Sequence, residues 1–137
     1  MCEGSGVPIG LAVDGANRHD MKLARQTLVD LVPPRPRPSL AEPQGLCLDK
    51  GYDYPEIREL AVEFAFTAHI RGRGEEAQVL KREAGFKARR WVVERTHSWL
   101  NRFRALLIRW NKKPENYVAL LHLAFAIIAY RAAGLFG

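Results

Sequence analysis

Arg89-Arg90-Trp91-Val92-Val93-Glu94-Arg95-Thr96-His97-Ser98-Trp99-Leu100-Asn101-Arg102-Phe103-Arg104 is the stretch on which the reading of this chain turns. Placed on a helix at about 100° per residue, it divides into two faces. Val92, Trp99, Phe103, Leu106, Leu107 and Trp110 gather on one side, and Arg90, His97, Ser98 and Asn101 on the other. Glu94 stands in the middle of the polar side, the only acid among Arg89, Arg90, Arg95, Arg102, Arg104 and Arg109. A helix that needed only a soluble outer face would interleave both charge signs. One carboxylate in a field of guanidiniums is what a site holding a metal ion near a polyanion would look like.

The charge of the whole chain supports that partner. Arg71 to Lys113 holds 13 Lys or Arg against 4 Glu, a local +9; with a total of +6, the rest of the chain is −3. A basic block beside a near-neutral remainder points to nucleic acid before a membrane surface. At 137 residues, 47% of them hydrophobic, the chain is one domain at most and large enough for a core. Cys2 and Cys47 are far apart and in no metal-type spacing, which excludes a disulfide framework and fits a reducing cytoplasm. Cys47, between Leu46 and Leu48, is expected to be a small buried hydrophobe. No basic and apolar leader opens the chain. The apolar run from Tyr117 to Tyr130 is shorter than the roughly 20 residues a bilayer span needs.

Outward from the helix, the chain reads as alternating short strands and helices. Val7–Val13 is expected as a strand after a glycine-rich turn at Gly4 to Gly6. A helix capped by Asp20 is expected through about Val32, ended by the stiff Pro33-Pro34-Arg35-Pro36-Arg37-Pro38 connector at the start of a proline-rich loop over 33–43. Gly45–Asp49 and Phe66–Ile70 read as strands flanking a helix from Pro55 to about Phe64, with Ile57, Leu60, Ala61 and Phe64 at helical spacing. Arg71-Gly72-Arg73-Gly74 opens a basic loop, and Pro114 starts a last helix apolar enough to be buried on most sides. The order predicts an α/β protein with a short sheet, flanking helices and two C-terminal helices.

Two acids stand where chemistry is plausible. Asp49 ends an apolar strand, and functional groups in α/β sheets collect outside the carboxyl ends of strands. Glu94 lies on a helix expected to pack near that sheet. Carboxylates at such points hold divalent metals about 3.5–4 Å apart in phosphodiester chemistry. They repel by roughly 4 kcal/mol per pair at 4 Å with an effective dielectric near 20, so a cation or basic surround must offset them. The plainer readings are a surface acid neutralised by Arg90 and Arg95, and a turn-forming Asp49 before Lys50-Gly51. His97, one turn from Glu94, either orients a water or phosphate or is a solvated histidine.

Leu48-Asp49-Lys50-Gly51-Tyr52-Asp53 resembles the second-acid motif of bacterial insertion-sequence transposases with a DDE triad, and Arg90 to Arg104 resembles their third-acid helix. Gly15-Ala16-Asn17-Arg18-His19-Asp20 is similar to the stretch after the family's third strand, and Asn116-Tyr117 with Leu120 to Ala124 to its closing helix. The resemblance covers almost the whole chain, residues 1–137, in the right order. It implies an RNase H-like fold, Mg2+ or Mn2+ as cofactor, and cleavage at transposon ends with strand transfer into target DNA. Asp49 becomes the second triad acid and Glu94 the third, both catalytic and metal-holding. Arg71, Arg73, Arg89, Arg90, Arg95, His97, Asn101, Arg102 and Arg104 become the DNA-binding set. A bacterial, nucleoid-associated protein, a homodimer and no membrane follow from the same reading. The family signature places tyrosine, arginine and lysine around the glutamate; Arg90 fits, while Lys87 and Asn101 stand in for the tyrosine and lysine.

In the family the first acid sits on a central strand upstream of the segment that Val7 to Asp20 resembles. This chain opens Met1-Cys2-Glu3-Gly4, and neither Asp14 nor Asp20 matches that acid. The sequence is therefore expected to be an incomplete RNase H-like fold, inactive alone. It would be a truncated copy, or the downstream part of a transposase whose upstream segment supplies the acid. The competing reading is a non-catalytic basic DNA-binding module in which Glu94 is incidental.

Overall fold

Residues 1–70 and 90–135 are described by a computed structural model, Arg90 by its backbone alone. They fall into two bodies, Asp14–Ala88 and Met1–Val13 with Arg89–Gly137.

In the first body, Gly45–Leu48 (β1) and Thr67–Ile70 (β2) pair in parallel, from Gly45↔Thr67 to Leu48↔Ile70. Parallel neighbours require a crossover, and Pro55–Glu63 (α2) supplies it. Pro55 sits in the first turn, where its missing N–H costs nothing; Ile57, Leu60 and Ala61 form the buried stripe. The helix closes on Ala65 at φ 53, with its N–H donating to the Val62 carbonyl (2.8 Å) and the Phe66 N–H to that of Ala61 (2.7 Å). Glycine usually fills such a left-handed closing position. Here Arg35 braces it, donating to the Phe64 carbonyl and to the Ala65 carbonyl (3.0 Å) while lying 3.6 Å over the Phe66 ring. The proline-rich connector is thus a strap of the fold.

Two expectations for this body are corrected. The helix predicted from Asp20 to Val32 is a 3-10 turn at Asp20–Leu23 running into Ala24–Val29 (α1), and its cap is His19, not Asp20. The prolines at 33 and 34 disfavour helix in the residues just before them. Cys47 is exposed. Successive strand residues face opposite sides, and Leu46, not Cys47, is on the buried one.

The second body lacks the predicted strand Val7–Val13. A single antiparallel bridge, Cys2 with Pro8, joins two arms of a turn in which Gly6 takes φ +94. Pro8 has no N–H for a ladder, and the sheet among the described residues has two strands rather than three. Arg90–Leu100 (α3) packs on that turn through Val92 and Thr96, both buried. The Thr96 hydroxyl donates to the Gly6 carbonyl at 2.6 Å, with the Val92 carbonyl 3.1 Å away. The positive φ at Gly6 is one that side-chain-bearing residues rarely adopt, and a Cβ there would also crowd the Val92 oxygen at 3.2 Å. Thr96→Val keeps the shape and leaves the Gly6 carbonyl without this donor. It is expected to cost about 1–2 kcal/mol, read as roughly tenfold faster amide exchange across α3. Unchanged exchange would show that the hydroxyl does not hold the turn.

The long amphipathic helix is also shorter than predicted. It ends at Leu100, Phe103 is extended, and a separate short helix, Arg104–Leu107 (α4), follows. The apolar positions beyond 100 therefore do not continue the α3 stripe: Leu107 is 57% exposed and Trp110 80%. Pro114–Ala132 (α5) begins on Pro114 as expected, but buries one side, Leu121, Ala124 and Ile128, and leaves Leu123 and Tyr130 exposed. No described helix is long and apolar enough to cross a membrane.

Candidate functional site

Asp49 follows the last residue of β1, in extended backbone, and its carboxylate accepts the Gly51 N–H at 2.9 Å to cap the 3-10 turn Lys50–Tyr52. Gly51 permits this: a Cβ there would lie 3.0 Å from the Asp49 Oδ1. Asp53 in the same motif is occupied differently. Lys50 reaches it at 2.5 Å and Arg58 at 2.6 Å, and their hydrogen bonds hold its carboxyl below the usual range. Asp49 is in no ion pair among the described residues. Of the two motif acids, Asp49 has its charge available.

An open cavity of about 300 Å3 lies against it, lined by Arg18, His19, Asp20, Asp49, Gly51 and Tyr52. Partial burial pushes the Tyr52 hydroxyl up from its ordinary pKa, and the Asp20 and Asp49 carboxylates push it further. It remains a donor at neutral pH. His19 accepts the Met21 N–H through Nδ1 at a long 3.4 Å, its ring edge-on to Tyr54 at 5.8 Å. Asp14 pairs with Arg18 at 3.0 Å. The sequence alone suggested no site role for Arg18, His19 or Tyr52, and for Asp20 only that of a helix cap. The signal was a run of polar and charged residues just ahead of a helix, Asn17 to Asp20, treated as part of a resemblance only.

In the other body, α3 places Glu94, His97 and Ser98 at the surface. Arg95 is exposed yet anchored: its guanidinium lies 4.5 Å from the Trp91 ring and 5.8 Å from that of Trp99, one turn to either side, and donates to the Ser5 carbonyl at 3.3 Å. Residues i and i+4 meet on a helix, so the Trp91, Arg95, Trp99 spacing builds this ladder directly. Asn101, Arg102 and Arg104 are exposed at and beyond the end of α3. Arg71, Arg73 and Arg89 lie outside the described residues, as does the side chain of Arg90.

Asp49 and Glu94 belong to different bodies. Among the described residues, no group of three or more His, Cys, Asp or Glu is placed to hold a metal ion. Two carboxylates on one open cavity, Asp49 and Asp20, are nonetheless the oxygen donors that suit a hard cation retaining its waters.

The profile of the family described as "Transposase DDE domain" matches residues 1–129. The chain is 33% identical over 136 residues to the "Putative transposase for insertion sequence element IS402" of Burkholderia cepacia, an alignment covering 93% of this chain and 59% of that relative. No solved structure matches. An acid at a strand end, a second on a helix among arginines, and a family match along nearly the whole length lead to one conclusion: the chain belongs to the DDE transposases of bacterial insertion sequences.

Proposed function

We propose that this chain is the C-terminal part of an RNase H-like catalytic domain that cuts DNA at transposon ends and joins them to target DNA. By the family resemblance, Asp49 and Glu94 are the second and third triad acids, carboxylates that would each serve as a ligand to a divalent metal, Mg2+ or Mn2+, with a first acid that neither Asp14 nor Asp20 matches. When bound, the metal activates the attacking oxygen and stabilises the leaving one. The observation that carries the reading is the contrast within one motif: Asp53 is neutralised by Lys50 and Arg58, while Asp49 faces an open cavity without an ion pair among the described residues. Gly51 restrains the Asp49 carboxylate through one hydrogen bond, leaving its remaining acceptor sites for a cation. On α3, Arg95 stacks on Trp91 and Trp99 along the flank of the helix that carries Glu94. The exposed Arg102 and Arg104, with Arg71, Arg73, Arg89, Arg90, His97 and Asn101, supply the contacts to DNA phosphates.

The alternative, a basic DNA-binding module without chemistry, draws on the lack of a three-acid group among the described residues. Both readings share one test. The local +9 between Arg71 and Lys113 implies that log affinity for duplex DNA falls with log salt at a slope of about −4 to −5 if roughly five phosphates are contacted. A flat salt response would remove both. Metal-dependent nicking by the full-length transposase separates them.

A further inference from the structure

We infer that Arg18 and His19 are the phosphate-holding side chains of the Asp49 cavity, donating to the non-bridging oxygens of the phosphodiester presented to that carboxylate. The inference rests on the reading of Asp49 as a metal-holding acid and adds two residues to it. Its starting point is the mixed charge of one cavity, which Arg18 and His19 share with Asp20 and Asp49. A free anion would be repelled by the two carboxylates, and a lone cation by the guanidinium. A phosphodiester presented to Asp49 would place its oxygens beside the guanidinium and the imidazole, which offset their charge by charge-assisted hydrogen bonds.

The two donors are prepared differently. His19 accepts the Met21 N–H through Nδ1, so in its neutral form the ring proton is on Nε2, which is left as a donor. The Tyr54 ring lies edge-on to the imidazole, centroids 5.8 Å apart. Arg18 meets Asp14 through Nη1 with both side chains substantially exposed, 59% and 35%. Such a surface pair is weak, so the guanidinium can turn a second edge to a phosphate at little cost. Tyr52 remains protonated beside Asp20 and Asp49 and adds a neutral donor that repels neither partner.

The test uses the full-length transposase with Mg2+ and a labelled DNA duplex of about 20 base pairs, long enough for the roughly five phosphate contacts expected. Affinity is measured against salt for the wild type, Arg18→Gln and His19→Ser. Serine keeps an acceptor for the Met21 N–H while removing the imidazole donor, so the 3-10 turn retains its cap. Arg18→Gln is expected to reduce the salt slope by about one. His19→Ser is expected to weaken binding by about tenfold or more, one hydrogen bond to a charged group. The imidazole resonances of His19 should shift when DNA is added to the wild type. Wild-type binding at the expected slope, with both variants indistinguishable from it, would overturn the inference and leave the DNA reading intact. Weakened variants with His19 resonances unmoved by DNA would also overturn it, since the effect would then be structural. A flat salt response in the wild type would remove the DNA reading and the inference together.

Discussion

Asp49→Asn and Glu94→Gln should each abolish strand cleavage by the full-length transposase while leaving its grip on DNA in place. Each change is isosteric and removes one negative charge from a proposed metal ligand. Loss of a charged metal ligand is expected to slow cleavage by at least about a hundredfold, some 2.7 kcal/mol of barrier. Asp53→Asn provides the contrast. Its carboxylate is spent on Lys50 and Arg58, so cleavage should stay within about threefold of wild type, the range of a surface ion pair worth less than 1 kcal/mol. The measurement is single-turnover cleavage of a transposon-end duplex with Mg2+, beside DNA retention in the same buffer. More than a tenth of wild-type cleavage in either of the first two variants would sink that assignment. Lost cleavage accompanied by lost retention would do the same, because the acid would then be holding the fold.

The second large effect concerns the fold itself. The 137-residue chain alone is expected to show helical far-UV circular dichroism with a broad, weakly cooperative melt. Two-stranded sheets are marginal in water, and the described sheet consists of β1 and β2. A further strand neighbour for β1 would cover an edge that otherwise invites association. Ten apolar residues form the described core, while Val62, Leu107, Ile108, Trp110 and Leu123 are each more than half exposed. The chain spans 59% of the length of the insertion-sequence relative. Supplying the transposase segment that carries the first acid, in cis or as a separate polypeptide, should give a sharp melt and Mg2+-dependent cleavage together. A sharp two-state melt of the 137 residues by themselves would contradict this. It would mean that the hydrophobic surface is already closed in another way.

Local chemistry was legible wherever a residue acts through its own backbone neighbours. Pro55 and Pro114 mark helix starts because proline tolerates the first turn, and both helices begin there. Ile57, Leu60 and Ala61 show their buried stripe in spacing alone. Asp49 at the end of an apolar run, before Lys50-Gly51, is where the capped turn forms. The family was legible for the same reason, since its motifs are short runs with fixed internal spacing.

The tertiary structure decided which of several possible partners each residue meets. Val7–Val13 has the composition of a strand, but a strand exists only with a ladder, and Pro8 makes just one bridge. Cys47 lies between two leucines, and which strand face is covered depends on what packs there. The α3 stripe breaks at Asn101 to Phe103, and the apolar α5 buries one side, because burial is a property of the packed surface and not of the helix. His19, rather than Asp20, caps the turn beside Asp49, and Asp53, rather than Asp49, is neutralised by its neighbours. Spacing along the chain lists the acids and bases within reach. Which pairs neutralise each other, and which charge is left facing a cavity, is settled by distances of a few ångströms that only the folded chain sets.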